Sequence, residues 1–213
     1  MIKIIDFPKI ESPFVRREID GKYVVVPEIN QEYEWVFNDD KVIASEKLHG
    51  TCCAALVENG MVTGMFNRTS RIPFIGGTLS KSLTEGMNNA VEKDRLIMQD
   101  GLHWGELIGP KINGNPYLLE QHEFLPFDWV REHLAYKSWH KYPKTFENII
   151  KGFELPISDG GIFSLFMKKR GIDQQPEGIV FVQPSTGKMA KIRRDMFPLW
   201  KGDRHKGNAE EKE

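Results

Sequence analysis

Residues 41–66, KVIASEKLHGTCCAALVENGMVTGMF, decide the fold class. KVIASEK alternates apolar and polar positions and stops at the Gly50 turn. CCAALV (52–57) and MVTGMF (61–66) flank Glu58-Asn59-Gly60. Asn-Gly between two apolar runs marks a tight hairpin, because its turn needs positive φ at both central residues. The stretch predicts a strand, a glycine turn and then a hairpin.

Outward from it, residues 78–99 carry Leu79, Leu83, Met87, Ala90, Val91 and Ile97 at helical spacings, with Gly86 weakening the middle. LHWGELIG (102–109) and EFLPFDWV (123–130) predict strands. REHLAYKSWHKY (131–142) and KTFENIIKGF (144–153) predict helices separated at Pro143. A second hairpin runs from 178–183 through Pro184-Ser185-Thr186-Gly187 and back along 188–193. Strands interleaved irregularly with helices and joined by hairpins predict an α+β protein, with antiparallel sheets flanked by helices. No internal repeat or low-complexity segment interrupts this pattern. The stretch after Trp200, KGDRHKGNAEEKE, has nothing to bury and is expected to be a disordered tail.

The bulk composition narrows the class. With 213 residues, 40% hydrophobic and 28% charged, the chain is that of a globular protein. No apolar run approaches the roughly 18–20 residues of a membrane span, and MIKIIDFPKI lacks the apolar core of a secretory signal. We therefore expect a cytoplasmic protein without a membrane partner. The net charge of −1 does not advertise nucleic acid, yet KMAKIRR (188–194) is a local basic stripe. Cys52 and Cys53 are adjacent and on a strand point to opposite faces, so reduced thiols are expected. The six histidines show no HExxH or CxxC…H spacing for structural zinc.

Lys47 is the residue that raises a chemical question. At the end of an alternating strand it is either a solvated charge or a nucleophile. A free lysine has a pKa of about 10.4 and attacks only once neutral, which neighbouring positive charge or desolvation promotes. Other segments supply companions. Asn67-Arg68-Thr69-Ser70 brings a guanidinium, and Trp104-Gly105-Glu106 sets a carboxylate in an apolar strand. Pro126-Phe127-Asp128 places an aromatic ring beside an acid, and Pro176-Glu177-Gly178 opens a strand with another. Lys191 and Arg193, two apart, share a strand face. Taken singly, Phe127 also reads as core, Glu106 as the partner of a structural arginine, and Lys191 with Arg193 as a solvated face. Together they supply a nucleophile, cations for phosphate, a platform for a base, and acids for ribose hydroxyls and metal.

In this order EKLHGT, NRTS, HWGELIGPKINGN, EFLPFD, PEGIVFV and KMAKIRRDMF resemble nucleotidyltransferase motifs I, Ia, III, IIIa, IV and V. The chain is similar to the covalent ligase and capping-enzyme superfamily over about residues 40–197. Within it the chain most resembles the ATP-dependent RNA ligase 2 family, in which His follows the lysine by two positions, as His49 does here. The GPKING segment strengthens that likeness.

The resemblance implies a nucleotidyltransferase domain with an ATP-grasp-like adenylation core over residues 1–200. It implies ATP and Mg²⁺ or Mn²⁺ as cofactors. The implied partner is RNA, with 5′-phosphate and 3′-hydroxyl ends, either free or in a nicked duplex. Lys47 would attack the ATP α-phosphate to form lysyl–AMP, AMP would pass to a 5′-phosphate, and a 3′-hydroxyl would then displace it. Glu177 would hold metal and lysine. Lys191 would hold the α-phosphate and favour the neutral form of Lys47, with Arg193 behind it. Arg68 would contact ribose or substrate phosphate, Glu106 the ribose hydroxyls, and Phe127 would stack on adenine. Glu46 and the backbone near Leu48 would face the adenine edge.

Three features depart from the family pattern. Cys52 stands where relatives often carry Asn, and motif V reads Lys-Ile-Arg where Lys-x-Lys is usual. The sequence also leaves no room after motif V for an OB or carboxy-terminal ligase domain, and a monomer is expected. A small DNA ligase, a capping enzyme, and a nucleic-acid end-binding module that has lost catalysis remain the rival readings. Retention of Lys47, Glu106, Glu177 and Lys191 together favours the enzyme over the last.

Overall fold

The computed structural model describes residues 7–198, so the expected tail over 201–213 lies outside the described residues. Along the chain run β1 (Phe14–Ile19), β2 (Lys22–Ile29), α1 (Trp35–Asn38), β3 (Ile43–Lys47), β4 (Thr51–Glu58), β5 (Met61–Asn67) and β6 (Arg71–Ile72). Then follow α2 (Thr78–Glu92), β7 (Gly101–Ile108), β8 (Glu123–Pro126), α3 (Phe127–His133) and α4 (Phe146–Glu154). The last elements are α5 (Leu165–Lys168), β9 (Gly178–Val182) and β10 (Met189–Arg193). Among the described residues the fold is α+β, with three antiparallel sheets flanked by helices, as the sequence pattern predicts. The described residues fall into two compact units, one made of 7–9 and 48–135, the other of 10–47 and 136–198. None of the described helices is long and apolar enough to cross a membrane.

The unit over 48–135 is built on a five-stranded sheet in the order β6-β5-β4-β7-β8. Its central hairpin turns at Asn59 (φ 52°) and Gly60 (φ 70°), as the Asn-Gly signal demands. Leu83, Met87 and Ala90 line the buried stripe of α2 and join Cys53, Ala55, Met65, Leu107 and Phe124 in one core. Gly86 sits in mid-helix because a Cβ there would lie 3.0 Å from the backbone nitrogen of Phe124. The helix stops at Glu92, short of the expected Gln99. Asp94 takes a left-handed conformation (φ 53°), and the amides of Arg95 and Leu96 fold back to donate to the Ala90 carbonyl. Cys52 and Cys53 are both free thiols, and burial pushes the Cys53 thiol up to about 12.

The other unit contains the hairpin β1-β2 and a three-stranded sheet in the order β10-β9-β3. Ala44, Phe181 and Ala190 stand in register across that sheet, as do Glu46, Ile179 and Ile192. Apart from Glu46, these side chains enter a core with Val36, Trp139, Ile149 and Phe153. The Thr145 hydroxyl accepts from the Asn148 amide and caps α4, which delivers Ile149 and Phe153 to that core.

Two sequence expectations are corrected here. EFLPFDWV is not a strand throughout: β8 ends at Pro126, and α3 begins at Phe127. Pro126 has no N–H for a strand ladder, while Asp128 favours the first turn of a helix. REHLAYKSWHKY is not one helix either, since α3 ends at His133 and only a 3₁₀ turn, Lys137–Lys141, follows. The β1-β2 hairpin was not anticipated, although Asp20-Gly21 (φ 51° and 71°) carries the same turn signal as Asn59-Gly60.

Candidate functional site

Strand alternation gives the β10-β9-β3 sheet a second face, apolar at Ile43, Val180, Val182 and Met189 and charged toward the end where β3 stops. Opposite the core side chains lie Ser45, Lys47, Lys191 and Arg193, with Lys47 in register with Gly178 and Gly178 with Arg193. Gly178 is glycine by necessity: a Cβ there would lie 2.1 Å from the Ile192 carbonyl oxygen. The close approach keeps β9 and β10 together where they carry the charged groups.

Glu177, the residue before β9, reaches two of those groups. Its Oε2 accepts a hydrogen bond from Lys47 Nζ at 2.8 Å, and its Oε1 lies 3.9 Å from the Arg193 guanidinium. Arg193 Nε also lies 3.1 Å from Asp195 Oδ1, an ion pair by distance but not aligned as a hydrogen bond. Lys191 is held through its backbone, whose amide donates to the Glu11 carbonyl at 2.9 Å. Its ammonium is brought down to about 8, first by burial and then by repulsion from Lys47 and Arg193, against the opposing pull of Glu11 and Glu177. Three cations gathered at one end of this face form a surface suited to an anion.

Glu46 points the other way. It is 1% exposed, and burial raises its carboxyl to about 7. Its Oε1 accepts from the Ser164 hydroxyl at 2.6 Å and its Oε2 from the Phe166 amide at 2.8 Å. Ser164 Oγ in turn accepts from the Met167 amide at 3.0 Å, capping α5.

The remaining expected residues belong to the unit over 48–135. Leu48 is buried, and the turn after it is tied down on three sides. The His49 amide donates to the Tyr117 hydroxyl at 2.8 Å, and the Gly50 amide to Glu106 Oε1 at 3.1 Å. The Gly50 carbonyl accepts from Asn113 Nδ2 at 2.6 Å. Glu106 is thus a buried acid anchored on a backbone amide within its own unit. Phe127 is half-buried, its ring 5.2 Å from that of Phe7, and Phe7 also packs on Trp104. Arg68 has an exposed side chain, on a turn shaped by Asn67 Oδ1, which accepts from the amides of Thr69 and Ser70.

Lys47, Glu177, Lys191 and Arg193 are therefore gathered on one sheet face, Glu46 lies on the reverse of that sheet, and Leu48, Arg68, Glu106 and Phe127 lie in the other unit. Sequence reasoning missed Ser164, Asn113, Tyr117 and Phe7. Asn113 and Tyr117 lie in or just beyond the glycine-rich GPKING segment, where Lys111, Asn113, Asn115 and Leu118 all adopt positive φ. Ser164 left no signal beyond a serine before a short apolar run. Among the described residues no three His, Cys, Asp or Glu side chains are grouped to hold a metal by themselves.

No curated protein gives a significant match to the chain. Solved structures do match. A Naegleria gruberi RNA ligase mutant with ATP and manganese is 15% identical, with a TM-score of 0.49 over 86% of this chain and 59% of that one. The Naegleria gruberi RNA ligase with pyrophosphate is 16% identical, with a TM-score of 0.48 over 88% of this chain and 61% of that one. The chain spans about three-fifths of the length of these ligases. The RNA ligase family profile matches residues 40–193, from just before β3 to the end of β10, more than two thirds of the 213 residues. On that match the chain belongs to the RNA ligase family.

Proposed function

We propose that the chain is an ATP-dependent RNA ligase of the RNA ligase 2 type, with Lys47 as its nucleophile. The observation that carries this reading is the charged end of that face of the β10-β9-β3 sheet, where Lys47 Nζ sits 2.8 Å from Glu177 among Lys191 and Arg193. In the first step Lys47 Nζ, having lost a proton, attacks the α-phosphorus of ATP. An N–P bond forms, the bond to the bridging oxygen breaks, and pyrophosphate leaves. Glu177 Oε2 is placed to take the proton from Nζ, and Lys191 and Arg193 supply positive charge for phosphate oxygens. In the second step a 5′-phosphate oxygen attacks the adenylyl phosphorus, the N–P bond breaks, and Lys47 takes back a proton and departs as the amine. In the third a 3′-hydroxyl attacks the activated 5′-phosphate and releases AMP.

A divalent cation fits the donors present. Mg²⁺ and Mn²⁺ need only one or two carboxylates when phosphate oxygens complete their shell, and Glu177 is the carboxylate that would hold one. Bound there, the ion would neutralise phosphate charge as the amine approaches.

From the motif order we assign Arg68 to ribose or phosphate, Glu106 to the ribose hydroxyls and Phe127 to stacking on the base. Loss of the Phe127 ring by Phe127→Ala should raise the ATP concentration for half-maximal reaction about 10-fold, the scale of one lost stacking contact.

The test is incubation with α-labelled ATP, and separately GTP, plus Mg²⁺. ATP should leave an acid-labile nucleotide on the wild type and none on Lys47→Ala, and GTP should label neither. Sealing of nicked and free-ended RNA against DNA then fixes the polynucleotide. A folded wild-type protein, free of bound nucleotide, that takes no label would point to an end-binding module instead.

A further inference from the structure

The core face of the β10-β9-β3 sheet holds one group that does not belong there by composition. Val42, Ala44, Ile179, Phe181, Ala190 and Ile192 are apolar and buried, while Glu46 carries a carboxylate into their layer. An acid at such a position costs stability unless donors satisfy both oxygens. Here donors reach both and offset part of that cost: one is a hydroxyl with no solvent exposure, Ser164, and the other the backbone amide of Phe166. The result is a polar rivet through an apolar layer, fastening β3 to the start of α5. It acts one residue before Lys47, at the end of the strand, where Lys47 stands in register with Gly178 of β9.

Alternation on β3 also separates the two side chains. Lys47 leaves the sheet toward Glu177, so Glu46 leaves it on the opposite side, and its two oxygens are taken up there. We infer that Glu46 is a positioning residue, whose carboxylate, held by Ser164 and the Phe166 amide, fixes the end of β3 and so the direction of Lys47 Nζ. This replaces a role for its side chain at the adenine edge. It rests on the reading of Lys47 as nucleophile only for its effect on rate.

The experiment compares wild type, Glu46→Gln and Ser164→Ala in single-turnover labelling with ATP. Ser164→Ala is the gentler change, since it removes one donor and keeps the acid. Both variants should react about 10- to 100-fold more slowly at saturating ATP, the scale of a misaligned reacting atom. The ATP concentration for half-maximal labelling should stay within about twofold of wild type. Wild-type rates in both variants would overturn the inference. So would a rate held at saturation with an ATP requirement raised about 10-fold, which would return Glu46 to the nucleotide.

A second measurement does not depend on ligase chemistry. Competitive acetylation by acetic anhydride, read lysine by lysine by mass spectrometry, reports how firmly Lys47 Nζ is held on Glu177. Both variants should raise the reactivity of Lys47 several-fold relative to Lys41 and Lys188, which are exposed. If wild type takes no label from ATP, the functional reading fails and this measurement alone decides the inference. Unchanged Lys47 reactivity would then overturn it.

Discussion

Glu46 and Lys47 are neighbours in the chain and opposites in the sheet, and their chemistry diverges accordingly. The lysine keeps an ion pair at the charged end of one face, while the glutamate is buried with its carboxyl raised to about 7. A carboxyl that is harder to ionise folded than unfolded binds more protons in the native state between about pH 4.5 and 7. Its contribution to stability is complete below that window and is lost as the pH rises through it. At about 1.4 kcal/mol per unit of pKa difference, the loss is on the order of 3 kcal/mol. Urea unfolding at pH 4.5 and 7.5 should show this fall in wild type and a much smaller one in Glu46→Gln. KVIASEK carries Glu46 in phase with Val42 and Ala44 and out of phase with Lys47, yet it was expected at the adenine edge, because the motif resemblance was followed in place of the strand period. Its partners were not legible, because Ser164 lies 118 residues away and no sequence period links the two.

Elements show where local signals succeed and where tertiary contacts override them. The hairpins β4-β5 and β9-β10 were legible from their turns, since positive φ is a local demand that few residues meet. The end of β8 was not, because apolar residues at 124–130 suit a buried strand as well as a strand running into a helix. Gly86 shows an override of the opposite kind. By helix propensity alone Gly86→Ala should stabilise α2 by about 1 kcal/mol. A Cβ at that position would lie 2.8 Å from Leu107 Cδ1 and 3.0 Å from the Phe124 backbone nitrogen. Overpacking of this kind costs about 1–3 kcal/mol, so Gly86→Ala should be neutral to destabilising, with a lower Tm on thermal unfolding. Gly178→Ala meets backbone at 2.1 Å and must push β10 away. We expect it to lower Tm more than Gly86→Ala and to abolish labelling by ATP, since Lys191 and Arg193 move with that strand.

At the scale of the molecule, each unit closes its own core, one around Phe181 and the other around Leu83. Both side chains are fully buried, and truncation of either to Ala should cost about 3 kcal/mol or more. Hydrogen exchange should localise the damage. Leu83→Ala should speed exchange within 48–135, and Phe181→Ala within 10–47 and 136–198. The expected functional residues divide along the same line, which no motif order reveals, because linear spacing carries no record of which strands share a sheet. The division also has a consequence for biosynthesis. Lys47 and its partner Glu177 are 130 residues apart, and β3 pairs with β9. At about 5–20 residues per second, a ribosome needs on the order of ten seconds to travel from one to the other. During that interval the segment over 48–135 emerges whole, whereas β3 waits without the strand that completes its sheet. A nascent or prematurely ended chain therefore displays Lys47 without Glu177, Lys191 and Arg193 beside it. Under the proposed function, the full set of groups around Lys47 exists only once nearly the last of the matched residues has left the exit tunnel, so fragments from abortive translation should take no label from ATP.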